Sequence, residues 1–223
     1  MTGILPAVGE VHLVWARLDE PLWGTLSIAE WLSPDERERA ARLKVPEATR
    51  RFRIGRALLR VVLSTYLGLP PDSLRFRYNR HGKPSLEGQT GHDGLRFNLS
   101  HSGDLLLVAL GRGREIGVDV ERVRAVVEAE RIAGWLFPER ERQRFEAAVA
   151  HRHAEEFFRC WTRIEATAKA YGMGIGETGS LPPTAVTLYE LSAMPGYVAT
   201  LAVQGCGDIL HIVEHSIAFP QSW

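Results

Sequence analysis

The stretch 157-FFRCWTRIEATAKAYGMG-174 reads as an ordinary amphipathic helix until its acid is placed on it. At roughly 100° per residue, Phe157, Phe158, Trp161, Ile164 and Ala168 gather on one side, and Glu156, Arg159, Arg163 and Thr167 take the other. Glu165 falls between Phe158 and Trp161, inside the apolar arc, with Lys169 one turn further on at its edge. An isolated buried carboxylate is costly and needs a partner or a metal. The helix is therefore expected to face something charged as well as a core.

Outward from that helix, the chain alternates strand and helix signals. "GEVHLVWARL" alternates Val11, Leu13 and Trp15 and predicts a strand. Ser33 as N-cap and Pro34 at the first helical position start a helix in "SPDERERAARL". A longer helix in "PEATRRFRIGRALLRVVLSTYLG" closes at Gly68 and the Pro70-Pro71 pair. "LRFRYNRHGKPSL" predicts a strand and a turn around Gly82, and "LRFNLSHSGDLLLVALG" a hairpin turning at Ser102-Gly103-Asp104. "REIGVDVERV" is a strand, and helix resumes from about Glu128 through "FPERERQRFEAAV" into the opening stretch. Beyond it, Gly172, Gly174, Gly176 and Gly179, up to Pro182-Pro183, predict a flexible loop before the strands "AVTLYEL", "YVATLAV" and "DILHIVEHSIAF". Each half reads strand, helix, strand, strand, an order that permits a duplicated α+β unit with its seam near "GRGREIG".

Composition bounds the function classes. The 223 residues carry 27 basic and 27 acidic side chains. No apolar run approaches the ~18 residues of a membrane span, and the start of the chain lacks the pattern of a secretory signal. Cys160 and Cys206 give neither a disulfide framework nor a zinc spacing, so a reduced, cytoplasmic setting is expected. Nucleic acid and membrane are not expected as partners. Charge is concentrated, however: Arg37, Arg39, Arg42, Lys44, Arg50, Arg51, Arg53, Arg56 and Arg60 face only Glu38 and Glu47. Such a block is either a solvated helix face or a seat for a polyanion.

Three clusters carry chemistry. In "GVDVE", Gly117, Asp119 and Glu121 share one face of a strand, with Asp119 and Glu121 ~7 Å apart at Cα. Alone they fit a solvated face; with Glu165 they make three carboxylates suited to a hard cation such as Mg²⁺, with Mn²⁺ as the alternative. In the long helix, Ile54, Leu58, Leu59, Val62, Leu63 and Tyr66 form the apolar stripe, and Arg53, Arg56 and Arg60 lie opposite, on the side expected to be solvated. Arg51 projects near the middle of the stripe, so it either snorkels or meets an anion in a cleft. Ser100 and His101 stand where a strand ends in a turn. They lack the acidic orienter of a hydrolase triad, and Lys83 in "HGKP" is uninformative by itself.

In order, "RERAARLKVPEATRRF…GRALLR", "GKP", "FNLSHS", "GVDVE" and "FFRCWTRIEATAKAYGMGI" resemble the 4′-phosphopantetheinyl transferases, and more narrowly the monomeric surfactin-synthetase-activator type. The resemblance runs from about Ser33 to Gly176 and implies a pseudo-dimer of two similar α+β halves. Each half would be a small antiparallel sheet on a long helix: residues 1–113 on the nucleotide-phosphate side and 114–223 bearing the metal carboxylates, with the active site in the cleft between them. It implies transfer of the 4′-phosphopantetheinyl group of coenzyme A to a serine of an acidic apo acyl or peptidyl carrier protein, releasing 3′,5′-ADP. Asp119, Glu121 and Glu165 would hold Mg²⁺, Glu165 would also be the base, and Lys169 would contact the phosphates. Arg51, His101 and Arg39 would bind the 3′-phosphate end of coenzyme A, and Ser100 and Lys83 would line the nucleotide pocket. The family pattern has Lys before the metal-binding Glu, where this chain has Ile164. That departure motivates an alternative, a degenerate coenzyme A or carrier binder without transfer; a Mg²⁺-dependent pyrophosphate hydrolase would use the same carboxylates.

Overall fold

The alternation at the start of the chain forms strand β1 (Glu10–Arg17), which puts Val11, Leu13 and Trp15 on one face and Val14 and Ala16 on the other. The computed structural model describes residues 5–87, 94–181, 186–205 and 210–215. Pro182-Pro183, Cys206 and the ends of the last predicted strand lie outside the described residues. After a short α1 (Ile28–Trp31), α2 (Pro34–Ala41) begins in a capping box, Glu36 Oε2 accepting from Ser33 N at 3.0 Å. Helix α3 (Pro46–Leu67) ends at Gly68, whose φ of 66° is the left-handed conformation that glycine adopts without a Cβ clash.

A ribbon of β2 (Phe76–Tyr78) and β3 (Pro84–Leu86) follows, then the hairpin of β4 (Leu95–Ser102) and β5 (Leu105–Arg112), then β6 (Ile116–Arg122). The helical segment after Glu128 divides at Phe137-Pro138 into α4 (Ala129–Leu136) and α5 (Glu139–Glu146), because proline disfavours helical backbone in the residue before it. Helix α6 (His153–Tyr171) carries Glu165 and Lys169 and is stopped by Gly172. Strands β7 (Val186–Leu191), β8 (Tyr197–Gln204) and β9 (His211–His215) follow.

The pairing repeats. In the first sheet β1 pairs with β5 and β5 with β4; in the second β6 pairs with β8 and β8 with β7, all antiparallel. In each half the first strand lies beside the third, and the long helix comes between the first and second strands of the chain order. The fold is α+β, as the sequence predicts. One helix covers the outer face of each sheet. Leu58, Leu59 and Val62 of α3 pack with Val14, Phe97 and Val108, and Ile164 and Ala170 of α6 pack near Val198 and Ala202. Between the sheets lie Leu13, Leu107, Val118 and Leu201, each fully buried. Burial of each large aliphatic side chain here is worth about 1.5–3 kcal/mol, and this layer joins the two sheets.

Three expectations are corrected. Arg56 and Arg60 are not solvated: Glu36 of α2 accepts from both Nε atoms at 2.6 Å, and Arg60 also donates to the Pro71 and Leu74 carbonyls at 2.8 and 3.0 Å. Phe76 stacks over both guanidiniums, so α2 and the β2–β3 ribbon cover what looked like an open helix face. Arg163 is likewise buried, paired with Glu141 of α5 at 2.7 Å, Glu156 at 3.2 Å and Glu190 of β7 at 3.1 Å. The predicted flexible glycine loop contains a 3₁₀ turn, Ile175–Ser180, in which Thr178 Oγ1 donates to the Ile175 carbonyl at 2.7 Å. Strand β9 pairs in parallel with β1 and completes the first sheet.

Candidate active site

The two sheets meet along the edges β4 and β6, and there side chains replace the backbone ladder. The even positions of β4 share one face, by strand alternation. Asn98 Oδ1 accepts from Val118 N at 2.9 Å, Ser100 Oγ donates to Asp119 Oδ1 at 2.7 Å, and Ser102 Oγ donates to Glu121 Oε2 at 2.6 Å. The seam between the halves is therefore polar, and Asp119 and Glu121 are fixed from the opposite half.

Helix α6 reaches this seam because of Gly117. A Cβ at that position would lie 2.1 Å from the Ala166 carbonyl oxygen and 2.4 Å from Ala170 N. The missing side chain lets the helix backbone press against β6, which puts Glu165 and Lys169 beside Asp119. Lys169 Nζ donates to Asp119 Oδ1 at 2.6 Å and to Ser100 Oγ at 3.1 Å. Both bonds to Asp119 end on the same oxygen. Its other oxygen, Oδ2, is buried without a partner. Such an orphan is rare in a folded protein and asks for a further donor or a cation.

Electrostatics mark the same place. Burial pushes the Asp119 carboxyl above its ordinary value, against the pull of Lys169 and Ser100, and the charge of Glu121 adds to the rise. Half-buried Glu165 is raised in the same way by burial, with Lys169 opposing and Asp119 and Glu121 adding. Glu121 thus raises both Asp119 and Glu165, and Asp119 raises Glu165 further. Among the described residues no three His, Cys, Asp or Glu side chains converge as a preassembled metal site. The donors still suit a hard cation: all are oxygens, one is orphaned, and their mutual repulsion is what a divalent ion relieves.

Ser100 and His101 are sequence neighbours with different destinations. Ser100 faces β6, whereas His101 opens onto a cavity of about 610 Å³ lined by Arg51, Phe52, Ser102, Gly103, Glu121 and Arg124 among others. The side chain is exposed at the cavity mouth, and partial desolvation there, with the charges of Lys169 and Arg51, holds its pKa below the ordinary value against the pull of Glu121. Arg39 extends this group indirectly, its guanidinium 5.4 Å from the centre of the Phe52 ring. Lys83 is not in this cavity. Its ammonium donates to Glu115 at 2.8 Å and to the Ile116 and Ala170 carbonyls at 3.2 and 3.3 Å, beside a separate cavity of about 340 Å³.

The structure thus brings Asp119, Glu121, Glu165, Lys169 and Ser100 together and sets Arg51 and His101 in the adjoining cavity. Asn98 and Ser102 escaped the sequence reading, although the alternation Asn98, Ser100, Ser102 was the signal that could have found them. Ile164 lies away from the seam, buried in the core with Phe157, Phe158 and Val198.

Known proteins carry the same pattern. Residues 21–112 match the family model described as 4′-phosphopantetheinyl transferase, N-terminal, and residues 115–219 match that of the 4′-phosphopantetheinyl transferase superfamily. The chain is 39% identical over 211 residues to the 4′-phosphopantetheinyl transferase HetI of Nostoc sp., covering 89% of each protein. It is 37% identical over 150 residues to the 4′-phosphopantetheinyl transferase AcpT of Escherichia coli O157:H7, across 66% of this chain and 69% of that one. With the L-aminoadipate-semialdehyde dehydrogenase-phosphopantetheinyl transferase of Xenopus laevis it shares 28% identity over 164 residues, 67% of this chain and 54% of the relative. Both halves and the seam between them are accounted for by these matches: the chain belongs to the 4′-phosphopantetheinyl transferase superfamily.

Proposed function

We propose that this protein transfers the 4′-phosphopantetheinyl group of coenzyme A to a serine of an apo acyl or peptidyl carrier protein, leaving 3′,5′-ADP. The observation that carries the reading is the polar seam, where Asp119 Oδ2 lies orphaned beside Glu165 and Lys169. Asp119, Glu121 and Glu165 would hold Mg²⁺, or Mn²⁺ in its place, which when bound supplies charge neutralisation at the pyrophosphate. Lys169 donates to phosphate oxygens and offsets the charge that builds on the bridging oxygen as 3′,5′-ADP departs. Ser100, held on Asp119, fixes the direction of that carboxylate. Glu165, directly or through a water, takes the proton of the carrier serine as its oxygen bonds to the phosphorus; its raised pKa makes it a better base than an ordinary carboxylate. Arg51 and His101 receive the 3′-phosphate in the adjoining cavity. Arg39 stands behind them through Phe52.

Residues 1–113 would then form the nucleotide-phosphate half and 114–223 the carboxylate half of a monomer resembling the surfactin-synthetase-activator type, working in the cytoplasm. A carrier surface of acidic helices suits the exposed arginines Arg122 and Arg124 beside the cavity. Ile164, the departure that motivates the degenerate alternative, packs in the core with Phe157, Phe158 and Val198. The test is to incubate the protein with coenzyme A, Mg²⁺ and an apo-carrier, then weigh the carrier by mass spectrometry. A gain of one phosphopantetheine supports transfer. An unmodified carrier across a panel of acyl and peptidyl carriers, with coenzyme A still bound, would return the degenerate reading to the front.

A further inference from the structure

Arg51 is gripped by the last residue of the Ser102-Gly103-Asp104 turn, to which the proposed chemistry gives no role. Asp104, in the turn between β4 and β5, accepts from Arg51 Nε at 2.9 Å on Oδ1 and from Nη2 at 3.1 Å on Oδ2. This is the side-on bidentate pairing of a guanidinium with a carboxylate. The turn that presents Asp104 is itself pinned. Its backbone carbonyl accepts from Leu18 N at 2.7 Å, Arg50 Nη2 donates to Oδ1 at 3.4 Å, and Arg50 Nη1 donates to the Leu18 carbonyl. Gly103, with φ of 56°, lies so close to Tyr197 that a Cβ would be 2.9 Å from the phenol oxygen. Asp104 is therefore held by backbone and packing while Arg51 is held by Asp104. Glu47 adds a third oxygen at 3.2 Å from Nε. Among the described residues no hydrogen bond engages Nη1 of Arg51.

We infer that Asp104 is a positioning residue for coenzyme A recognition. By taking the side edge of the Arg51 guanidinium it leaves the end edge, Nη1 and the second Nη2 hydrogen, preset for a phosphate in the cavity shared with His101. A long, flexible side chain that is already ordered loses less entropy on binding. The inference rests on the reading of Arg51 and His101 as the seat of the 3′-phosphate.

The test compares dissociation constants, by calorimetry with Mg²⁺ present, of coenzyme A and of 3′-dephospho-coenzyme A for the native protein, Asp104→Asn and Arg51→Ala. Asp104→Asn is expected to weaken coenzyme A about 10-fold or more, in the range typical of residues that orient a binding group. Its affinity for 3′-dephospho-coenzyme A should stay within about twofold of native, because no phosphate meets Arg51 in that ligand. The dephospho ligand also reports whether the variant is folded. Unchanged or tighter coenzyme A binding in Asp104→Asn, while Arg51→Ala loses coenzyme A selectively, would overturn the role of Asp104 and spare that of Arg51. Equal weakening of both ligands by Asp104→Asn would make Asp104 a general structural residue and also overturn the inference. If Arg51→Ala shows no selectivity between the two ligands, the reading of Arg51 itself fails, and the inference with it.

Discussion

Glu165 has a cost in the resting fold that its proposed role as base and metal ligand explains. Its folded pKa lies above the ordinary 4.5, because burial and the charges of Asp119 and Glu121 outweigh Lys169. A carboxyl raised in this way contributes stability that is fully present below pH 4.5 and lost as pH rises through the folded value. Glu165→Gln should therefore melt at a higher temperature than the native protein at pH 7 without divalent ions, and at the same temperature near pH 4. In the same variant, transfer should fall by about 10²–10⁴-fold, the usual loss when a general base is removed. Thermal melts at the two pH values and a carrier mass assay check both arms. Ile164 gives the opposite case. It is 3% exposed among Phe157, Phe158 and Val198, so Ile164→Lys buries an unpaired ammonium. That change should cost about 3–5 kcal/mol by denaturant unfolding rather than restore a catalytic group. The periodicity of the sequence placed Glu165 and Lys169 correctly, since both follow from a helix repeat alone. It misplaced Arg163, because what covers a helix face comes from elsewhere in the chain: Glu141 and Glu190 lie 22 and 27 residues away.

At the scale of elements, the contact of α6 with β6 decides whether the site exists. Gly117 allows the helix backbone to approach so closely that any side chain there must move it. Gly117→Ala should displace α6 outward, destabilise the protein by about 1–3 kcal/mol, and cut transfer by about 10²-fold through a shift of the order of 1 Å in Glu165 and Lys169. Steady-state kinetics and unfolding on the same preparation check the pair of effects. Loss of stability without loss of activity would show that the close approach serves packing alone. Elements were the most legible level of the sequence. Caps, prolines and alternation located every long helix and the main strands, since those signals act within one turn or one hairpin. The Glu36 cluster was hidden for the converse reason. Arg56 and Arg60 look exposed on their own helix, and only α2 and the β2–β3 ribbon, arriving from either side, bury them.

For the whole molecule, the pairing of β9 with β1 is the feature that local signals could not supply, because a parallel partner 201 residues away leaves no mark in either strand. Its electrostatics suggest where the fold opens first in acid. Glu10 is held down to about 2 by the Ala7 amide and then by His12, and exposed His215, its ring 4.3 Å from that of His12, lies below its ordinary 6.5 through partial desolvation and then the charge of His12. Groups with lowered folded values stabilise above their ordinary pKa and lose that contribution as pH falls through the folded one. Both losses fall on the same pair of strands. Hydrogen exchange recorded from pH 6.5 downward, corrected for intrinsic rates, should show β9 amides losing protection before those of α6; simultaneous loss would mean a single cooperative opening. The same pairing also bears on any attempt to divide the chain. Cut between Arg112 and Glu115, the first fragment would keep β4, β5 and β1 but present the bare edge of β1, a row of unsatisfied amides and carbonyls. The strand that satisfies it travels with the other fragment. The two pieces are thus built for reassembly by strand exchange, and co-expressed fragments make a natural complementation pair in which restored activity reports their meeting.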